Sequence, residues 1–276
     1  SQVGVGQLGT RSQVDVGQLG TRSQVDVGQL LGDTRFSAQR EAEYFQRVET
    51  RQAEGVIQLS PHHPGHWSDE GFNVPFVNAC ECLPDAPYPT VNIDNAEAAK
   101  VVIEHLQSLG HKMIGCVIGP IDESGSTPIT IERLAGYKAA MNAAHCEVKD
   151  EYLVNGDFSL QSGFEAAQHF ADLEDRPTAV FCMNDEMAIG LIQGLKANGL
   201  RVPDDISVAG FDDIEFARYS DPSLTTVDQP AEDIGRKAMT VLVDILEGRR
   251  PKDLRFTLPT ELIARDSTGP VKKSRP

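Results

Sequence analysis

Short apolar runs alternate with longer amphipathic stretches along most of the chain. Seven apolar runs predict buried strands, at residues 56–59, 76–79, 91–93, 114–118, 179–182, 206–211 and 224–227. Six stretches of helical length lie among them, at residues 38–53, 96–109, 131–144, 160–173, 186–198 and 231–246. Strands that alternate with helices are typical of parallel sheets covered by helices, so the pattern predicts a doubly wound α/β fold.

The length of the chain predicts more than one lobe. A chain of 276 residues is long for one compact core, because single cores stop growing near about 250 to 300 residues. The beginning of the chain is unlike the rest, since a glycine-rich unit of about eleven residues occurs there three times. It has too few apolar residues for a coiled coil. We interpret residues 1–29 as a repetitive tail or a misassigned segment, with a genuine repeat as the alternative.

Composition narrows the partners and the compartment. Lysine and arginine number 25 and aspartate and glutamate 41, so the formal net charge is −16. This charge predicts that the chain by itself repels DNA phosphates and acidic membrane surfaces. No uninterrupted apolar stretch is long enough to cross a membrane. The odd number of cysteines, five, and the lack of a leader sequence favour the cytoplasm.

Polar residues follow several of the predicted strands. Glu81 follows one strand, Asn184 and Asp185 follow another, and Asp212 and Asp213 follow a third. The carboxyl ends of parallel strands meet at one edge of a sheet, where such residues can hydrogen-bond a neutral, hydroxyl-rich ligand. The alternative is structural, because Asn184 and Asp185 also suit helix N-caps and the aspartate pair suits a turn.

Enzyme and metal motifs are weak. The sequence has no nucleophile elbow, no phosphate-binding loop and no dinucleotide motif after a strand. His62, His63 and His66 resemble a metal cluster but are interrupted by Pro and Gly, so a solvated loop is the preferred interpretation. The Cys80 to Cys82 gap is wrong for a redox pair. We therefore expect no enzyme, no catalytic residues, no cofactor and no bound metal.

An ordered series of segments resembles the effector-binding core of the lactose and galactose repressor family. The most specific are TVNIDN at 90–95, RLAGY at 133–137, NGDF at 155–158, VPDDISVAGFD at 202–212 and PSLTT at 222–226. The resemblance covers residues 30 to 268 and is strongest to members that respond to nucleosides such as cytidine. It implies two periplasmic-binding-protein-like subdomains joined by a three-crossover hinge. The crossovers are expected near residues 118–119, 227–228 and 258–259.

The resemblance implies both the domain limits and the binding residues. One subdomain is expected at 30–118 plus 229–258 and the other at 119–228 plus 259–268, with a tail at 269–276. The implied ligand-binding residues serve three roles: an aromatic face for stacking, a forked cation, and an amide and carboxylate for sugar hydroxyls. They are Phe158, Arg133, Asn184 and Asp212. A core position for Phe158 and a surface salt bridge for Arg133 are the alternatives.

Glu81 is expected to read the base of a nucleoside. An ionised carboxylate only accepts hydrogen bonds, so it favours the amino group of cytosine over the carbonyl of uracil. The alternative is a solvent-exposed loop position. Together these features predict the effector-binding core of a repressor that senses a nucleoside or sugar, with a solute-binding protein as the alternative and a nucleoside enzyme as a weaker one. The family further implies a homodimer, with Met187, Ile189 and Leu191 near an exposed face, and operator binding only in the full-length protein.

Overall fold

The computed structural model describes residues 53–59, 74–80, 87–122 and 125–272, together with the two helical residues Arg40 and Glu43. The glycine-rich repeat, the histidine cluster and Glu81 lie outside the described residues, as does most of the helix predicted at 38–53.

Twelve strands and six α-helices have their bounds within the described residues. The strands are β1 (Val56–Gln58), β2 (Phe76–Ala79), β3 (Thr90–Ile93), β4 (Ile114–Ile118), β5 (Ile121–Asp122), β6 (Gly125–Ser126), β7 (Leu153–Asn155), β8 (Ala179–Cys182), β9 (Ser207–Ala209), β10 (Thr226–Asp228), β11 (Arg255–Leu258) and β12 (Glu261–Ile263). The helices are α1 (Asn95–Ser108), α2 (Pro128–Ala143), α3 (Leu160–Asp172), α4 (Asp185–Ala197), α5 (Glu215–Tyr219) and α6 (Ala231–Leu246).

Two four-stranded sheets organise these elements. One has the order β1-β2-β3-β11, and the other has the order β7-β4-β8-β9 with all of its pairs parallel. β10 and β12 form an antiparallel pair, and β5 and β6 form a hairpin. The α/β prediction is confirmed. The sequence pattern missed the hairpin, β7, β11, β12 and α5, because elements this short contain too few residues to show a period.

The chain divides into two compact units. Unit 1 ends at Asn92 and resumes over Pro230–Leu258, whereas unit 2 comprises Ile93–Gln229 and the residues from Pro259 onward. The first change of unit therefore falls at residues 92–93 and not near 118–119 as expected from the resemblance. Residues 93–118, which were expected in the first subdomain, belong to unit 2.

The packing of α1 explains why residues 93–118 belong to unit 2. α1 lies against α2, and a Cβ on Gly136 of α2 would stand 2.0 Å from the carbonyl oxygen of Ala96 in α1. β4, which follows α1, pairs with β7 and β8 of unit 2. Both neighbours of this segment are thus in unit 2, and neither contact is visible in a local pattern.

The end of the chain is also held more firmly than expected. Residues from 269 onward were predicted to form a tail, but Gly269 accepts a hydrogen bond from His111 at 2.9 Å. The amide of Val271 donates to the carbonyl of Leu109 at 3.0 Å. Residues 269–271 are therefore part of unit 2.

Close packing of α3 and α4 buries residues that the sequence placed on the surface. A Cβ on Gly163 would stand 2.0 Å from the carbonyl oxygen of Met187, so glycine lets the two helices approach. Met187 and Leu191 are fully buried, and Ile189 is half-buried. The expectation of an exposed face at Met187 and Leu191 is wrong, because α4 is covered by α3 as well as by its sheet.

Candidate functional site

The carboxyl ends of the unit 2 strands gather polar and aromatic residues. Gly119 follows β4, Phe158 follows β7, Asn184 follows β8, and Asp212 follows β9. Phe158 and Asp212 both have positive φ angles, 67° and 115°. Non-glycine residues rarely adopt such conformations, which are retained mainly where the surroundings hold them for a purpose.

The ring of Phe158 lies directly against Gly119. A Cβ on Gly119 would stand 2.3 Å from Cζ of Phe158 and equally close to Oγ1 of Thr130. The side chain is half-buried, so it is neither a pure core residue nor free in solvent. Only glycine leaves the ring room in this position.

Arg133 is buried and contacts several residues, so it does not form the surface salt bridge that was the alternative. Its Nε donates to Oδ1 of Asn95 at 2.9 Å, and its Nη1 donates to the carbonyl of Met183. Nη2 reaches Oε1 of Gln229 at 3.4 Å and Oδ1 of Asp212 at 3.5 Å. The side chain is 3% exposed. Its donors are largely occupied by protein acceptors, which fixes the guanidinium in place.

The guanidinium also stacks on an aromatic ring. Cζ of Arg133 lies 3.5 Å from the ring centroid of Phe211, the residue before Asp212. A planar cation over an aromatic face is attracted by the ring quadrupole, and the attraction grows when both are desolvated. Phe211 thus helps to hold Arg133 close to Asp212.

Asp212 combines partial exposure with a perturbed carboxyl group. Its side chain is 24% exposed. Burial raises the pKa of Asp212 to about 6, an effect that Arg133 opposes and Glu186 reinforces. The carboxylate is therefore ionised at neutral pH and can accept hydrogen bonds from a ligand.

Asn184 is the N-cap of α4 and an anchor for Phe158. Its Oδ1 accepts from the amide of Met187 at 2.9 Å, and its Nδ2 donates to the carbonyl of Phe158 at 2.8 Å. The capping interpretation of the sequence is correct for this residue. The same side chain that starts the helix holds the backbone of Phe158 in its left-handed conformation.

Asp185 is structural, but it is not the cap. It is completely buried, and its two oxygens accept from the amide of Ile214 at 2.9 Å and from Oγ1 of Thr226 at 2.6 Å. Burial raises the pKa of this carboxyl well above its usual range, and the charge of Asp212 adds to the effect. Asp185 therefore ties the loop after β9 to β10.

Asp213 is more than a turn residue. It has a φ of 51°, as suits the turn predicted there, and its carboxylate pairs with Arg265 at 2.7 Å. Both side chains are largely shielded from solvent. Because the charge of Asp213 is paired with Arg265, we assign the ligand-binding role to Asp212 and not to Asp213.

Comparison with known proteins places this arrangement in a family. Residues 103–268 match the model of a periplasmic binding protein-like domain. The HTH-type transcriptional repressor CytR of Escherichia coli strain K12 is 39% identical over 241 residues, which cover 87% of this chain and 70% of CytR. This chain belongs to the LacI family of transcriptional regulators.

Other LacI-family proteins show the same likeness. The HTH-type transcriptional repressor PurR of Photobacterium profundum is 38% identical over 242 residues, which cover 86% of this chain and 71% of PurR. The complex of the transcriptional regulator CelR with cellobiose has a TM-score of 0.75 and 31% identity, covering 84% of this chain and 71% of CelR. CytR and PurR are repressors and not enzymes, in agreement with the lack of catalytic motifs.

Three residues at this edge of the sheet were not predicted as part of the site. Asn95 and Gln229 contact Arg133 through hydrogen bonds, and Phe211 lies under its guanidinium. Asn95 and Phe211 stand within the quoted family segments, so their positions were available as a clue. Their contacts with an arginine far away in the chain were not.

The other predictions for this LacI-family chain concern Glu81, a bound metal and a membrane-spanning segment. Glu81, the expected base-reading residue, lies outside them. Within the described ranges no group of three or more metal-binding side chains occurs. In the same ranges, no helix is long and apolar enough to span a membrane.

Proposed function

We propose that the carboxyl-end edge of the unit 2 sheet binds a small-molecule effector that regulates the full-length repressor. One observation carries the proposal: a partly exposed, ionised Asp212 lies at the same edge as the half-buried ring of Phe158. The carboxylate offers acceptors for hydroxyl groups, and the ring offers an apolar face for a flat partner. Arg133 supports Asp212 through an ion pair, and Asn184 supports Phe158 through a hydrogen bond to its backbone carbonyl.

The effector class that suits this pair is a nucleoside, and cytidine is the best candidate. A ribose supplies the vicinal hydroxyls that an aspartate accepts from, and a base supplies the flat face that Phe158 stacks on. A free sugar would leave the ring of Phe158 without an aromatic partner. The resemblance of the sequence segments to family members that respond to nucleosides supports this assignment.

Glu81 is proposed to select the base by accepting from the exocyclic amino group of cytosine. Facing the carbonyl of uracil, an ionised Glu81 would lose that bond, at a cost of about 1 to 3 kcal/mol or roughly ten- to hundredfold in affinity. Calorimetry with cytidine, uridine, adenosine and ribose on the wild type and Glu81→Gln tests this. We expect cytidine to bind most tightly and Glu81→Gln to lose the preference over uridine. Ribose binding as tightly as cytidine would refute the base-reading role.

A sugar effector is the second candidate, and one observation favours it. CelR was solved in complex with cellobiose, so this fold accommodates a saccharide in that relative. The same calorimetric series extended to cellobiose separates the two candidates. Solute uptake is less well supported, because CytR and PurR are both repressors.

We propose that the protein works in the cytoplasm as a homodimer. Cys116, Cys146 and Cys182 carry free thiols, as suits a reducing compartment. Operator DNA is proposed to be bound by another part of the full-length protein, because the net charge of this chain is −16.

Unit 2 presents the apolar side chains of Phe216 and Tyr219, each 72% exposed, and of Leu160 and Phe164 on α3. A second copy of the chain would cover these residues.

A further inference from the structure

Arg133 contacts residues beside two of the three places where the chain passes from one unit to the other. Asn95, which accepts from Nε at 2.9 Å, lies just after the first passage. Gln229, whose Oε1 lies 3.4 Å from Nη2, is the last residue before the second passage. The same Nη2 lies 3.5 Å from Oδ1 of Asp212. A single guanidinium thus joins the proposed effector carboxylate to both segments.

The side chain of Asn95 has little freedom to move. It is 1% exposed, and its Nδ2 donates to Oε2 of Glu132 at 3.1 Å. It is the first residue of α1, whose start is capped by Asp94 and lies in backbone contact with Gly136 of α2. The Oδ1 of Asn95 is therefore presented to Arg133 in one fixed direction.

We propose that Asn95 is a positioning residue, which aims the guanidinium of Arg133 at Asp212 and so links effector recognition to the segment that enters unit 2. The inference rests on the proposed function, because it takes Asp212 as the effector contact. Without the Asn95 oxygen, the Nε–H group of Arg133 has lost its acceptor in a buried site, which costs free energy. The guanidinium can then turn toward the carbonyl of Met183, and we expect Nη2 to move away from Asp212.

The charges around Asp212 make this movement measurable. Arg133 on α2 is the cation that faces it, and Asp185 and Glu186 on α4 are neighbouring carboxylates. The adjacent Asp213 is paired with Arg265. Arg133 opposes the rise in the pKa of Asp212 to about 6. Moving Arg133 away therefore raises that pKa further, whereas a general loss of stability leaves it unchanged.

The test compares Asn95→Ala with the wild type and with Asn92→Ala. Asn92 is a matched control, because it lies in unit 1, where its Oδ1 accepts from Oγ1 of Thr257 at 3.4 Å. Carboxyl NMR of the ligand-free chain, assigned with Asp212→Asn, follows the titration of Asp212. We expect its midpoint to rise in Asn95→Ala and to stay at the wild-type value in Asn92→Ala. Cytidine affinity, measured by calorimetry, should fall about tenfold in Asn95→Ala alone.

Two outcomes separate the inference from the proposed function. If Asn95→Ala lowers the melting temperature while Asp212 titrates as in the wild type, Asn95 is merely structural and the inference is overturned. If the wild type binds neither nucleoside nor sugar, the proposed function fails, and the titration of the ligand-free chain still tests Asn95. Asn95→Ser is a second variant, since its hydroxyl is too short to reach Nε, and the same upward shift is expected.

Discussion

The ring of Phe158 occupies the space that a side chain at Gly119 would need. A Cβ on Gly119 would stand 2.3 Å from Cζ of Phe158, far inside the sum of their van der Waals radii. Gly119 follows β4 and Phe158 follows β7, so two neighbouring strands together set the position of the ring.

Gly119→Ala should therefore weaken effector binding by displacing Phe158. The added methyl group cannot be accommodated unless the ring or Thr130 moves, so we expect cytidine affinity to fall by about tenfold or more, in line with a lost stacking contact. Gly269→Ala is the control, since its Cβ would meet only Pro203 at 3.3 Å. Calorimetry that finds wild-type affinity in Gly119→Ala would show that Phe158 does not contact the effector.

Effector binding should depend on pH through Asp212. Its pKa in the folded chain is raised to about 6, and the ionised form accepts hydrogen bonds from hydroxyl groups. Affinity is thus greatest above that value and falls as the pH is lowered through it. Calorimetry between pH 5 and about 8 should show this decline in the wild type and a weak, flat profile in Asp212→Asn. An unchanged decline in Asp212→Asn would assign the titration to another group.

Asp185→Ala should destabilise unit 2. The substitution leaves the amide of Ile214 and the hydroxyl of Thr226 without their buried acceptor. Two unsatisfied donors predict a loss of about 2 to 4 kcal/mol in the free energy of unfolding. Asp185→Asn should lose less, because its oxygen still accepts one bond. Urea denaturation of the two variants gives the comparison, and equal losses would contradict it.

Protonation of His105 and His111 at acid pH should lower the stability of unit 2, in which both histidines contact the C-terminal end of the chain. Burial lowers the pKa of His105 and His111 below the ordinary value of 6.5. The unfolded chain therefore takes up protons first, so stability is present above pH 6.5 and is lost as the pH falls below it. Thermal melts from pH 7.5 to about 5 should show a smaller acid loss in His111→Gln than in the wild type. His169→Gln, an exposed control, should follow the wild type.

Dimerisation should depend on the aromatic residues of α5. Phe216 and Tyr219 expose most of their side chains, and burying them against a second copy is favourable by roughly 25 cal/mol per Å². Sedimentation at micromolar concentration should show a dimer for the wild type and monomer for the Phe216→Glu, Tyr219→Glu double variant. Leu246→Glu in unit 1 changes an exposed apolar residue elsewhere and should remain dimeric. A monomeric wild type would refute the proposal.

The sequence by itself determined the fold class and most element positions. Alternating apolar runs and amphipathic stretches are local properties, so β4, β8 and α6 begin and end where the pattern predicted. The same pattern placed Asn184 and Asp212 directly after strands, and strand order in a parallel sheet brought both to one edge. The family segments then indicated Phe158 and Arg133.

Only the tertiary structure decided which unit holds residues 93–118 and what each polar side chain contacts. Arg133 could have been a surface residue, but Asn95 and Asp212 surround it from distant parts of the chain. The apolar pattern around Met187 suits an exposed position as well as a buried one, but the close approach of Gly163 buries its side chain. These outcomes depend on contacts between segments that are far apart in sequence, and no local period encodes such contacts.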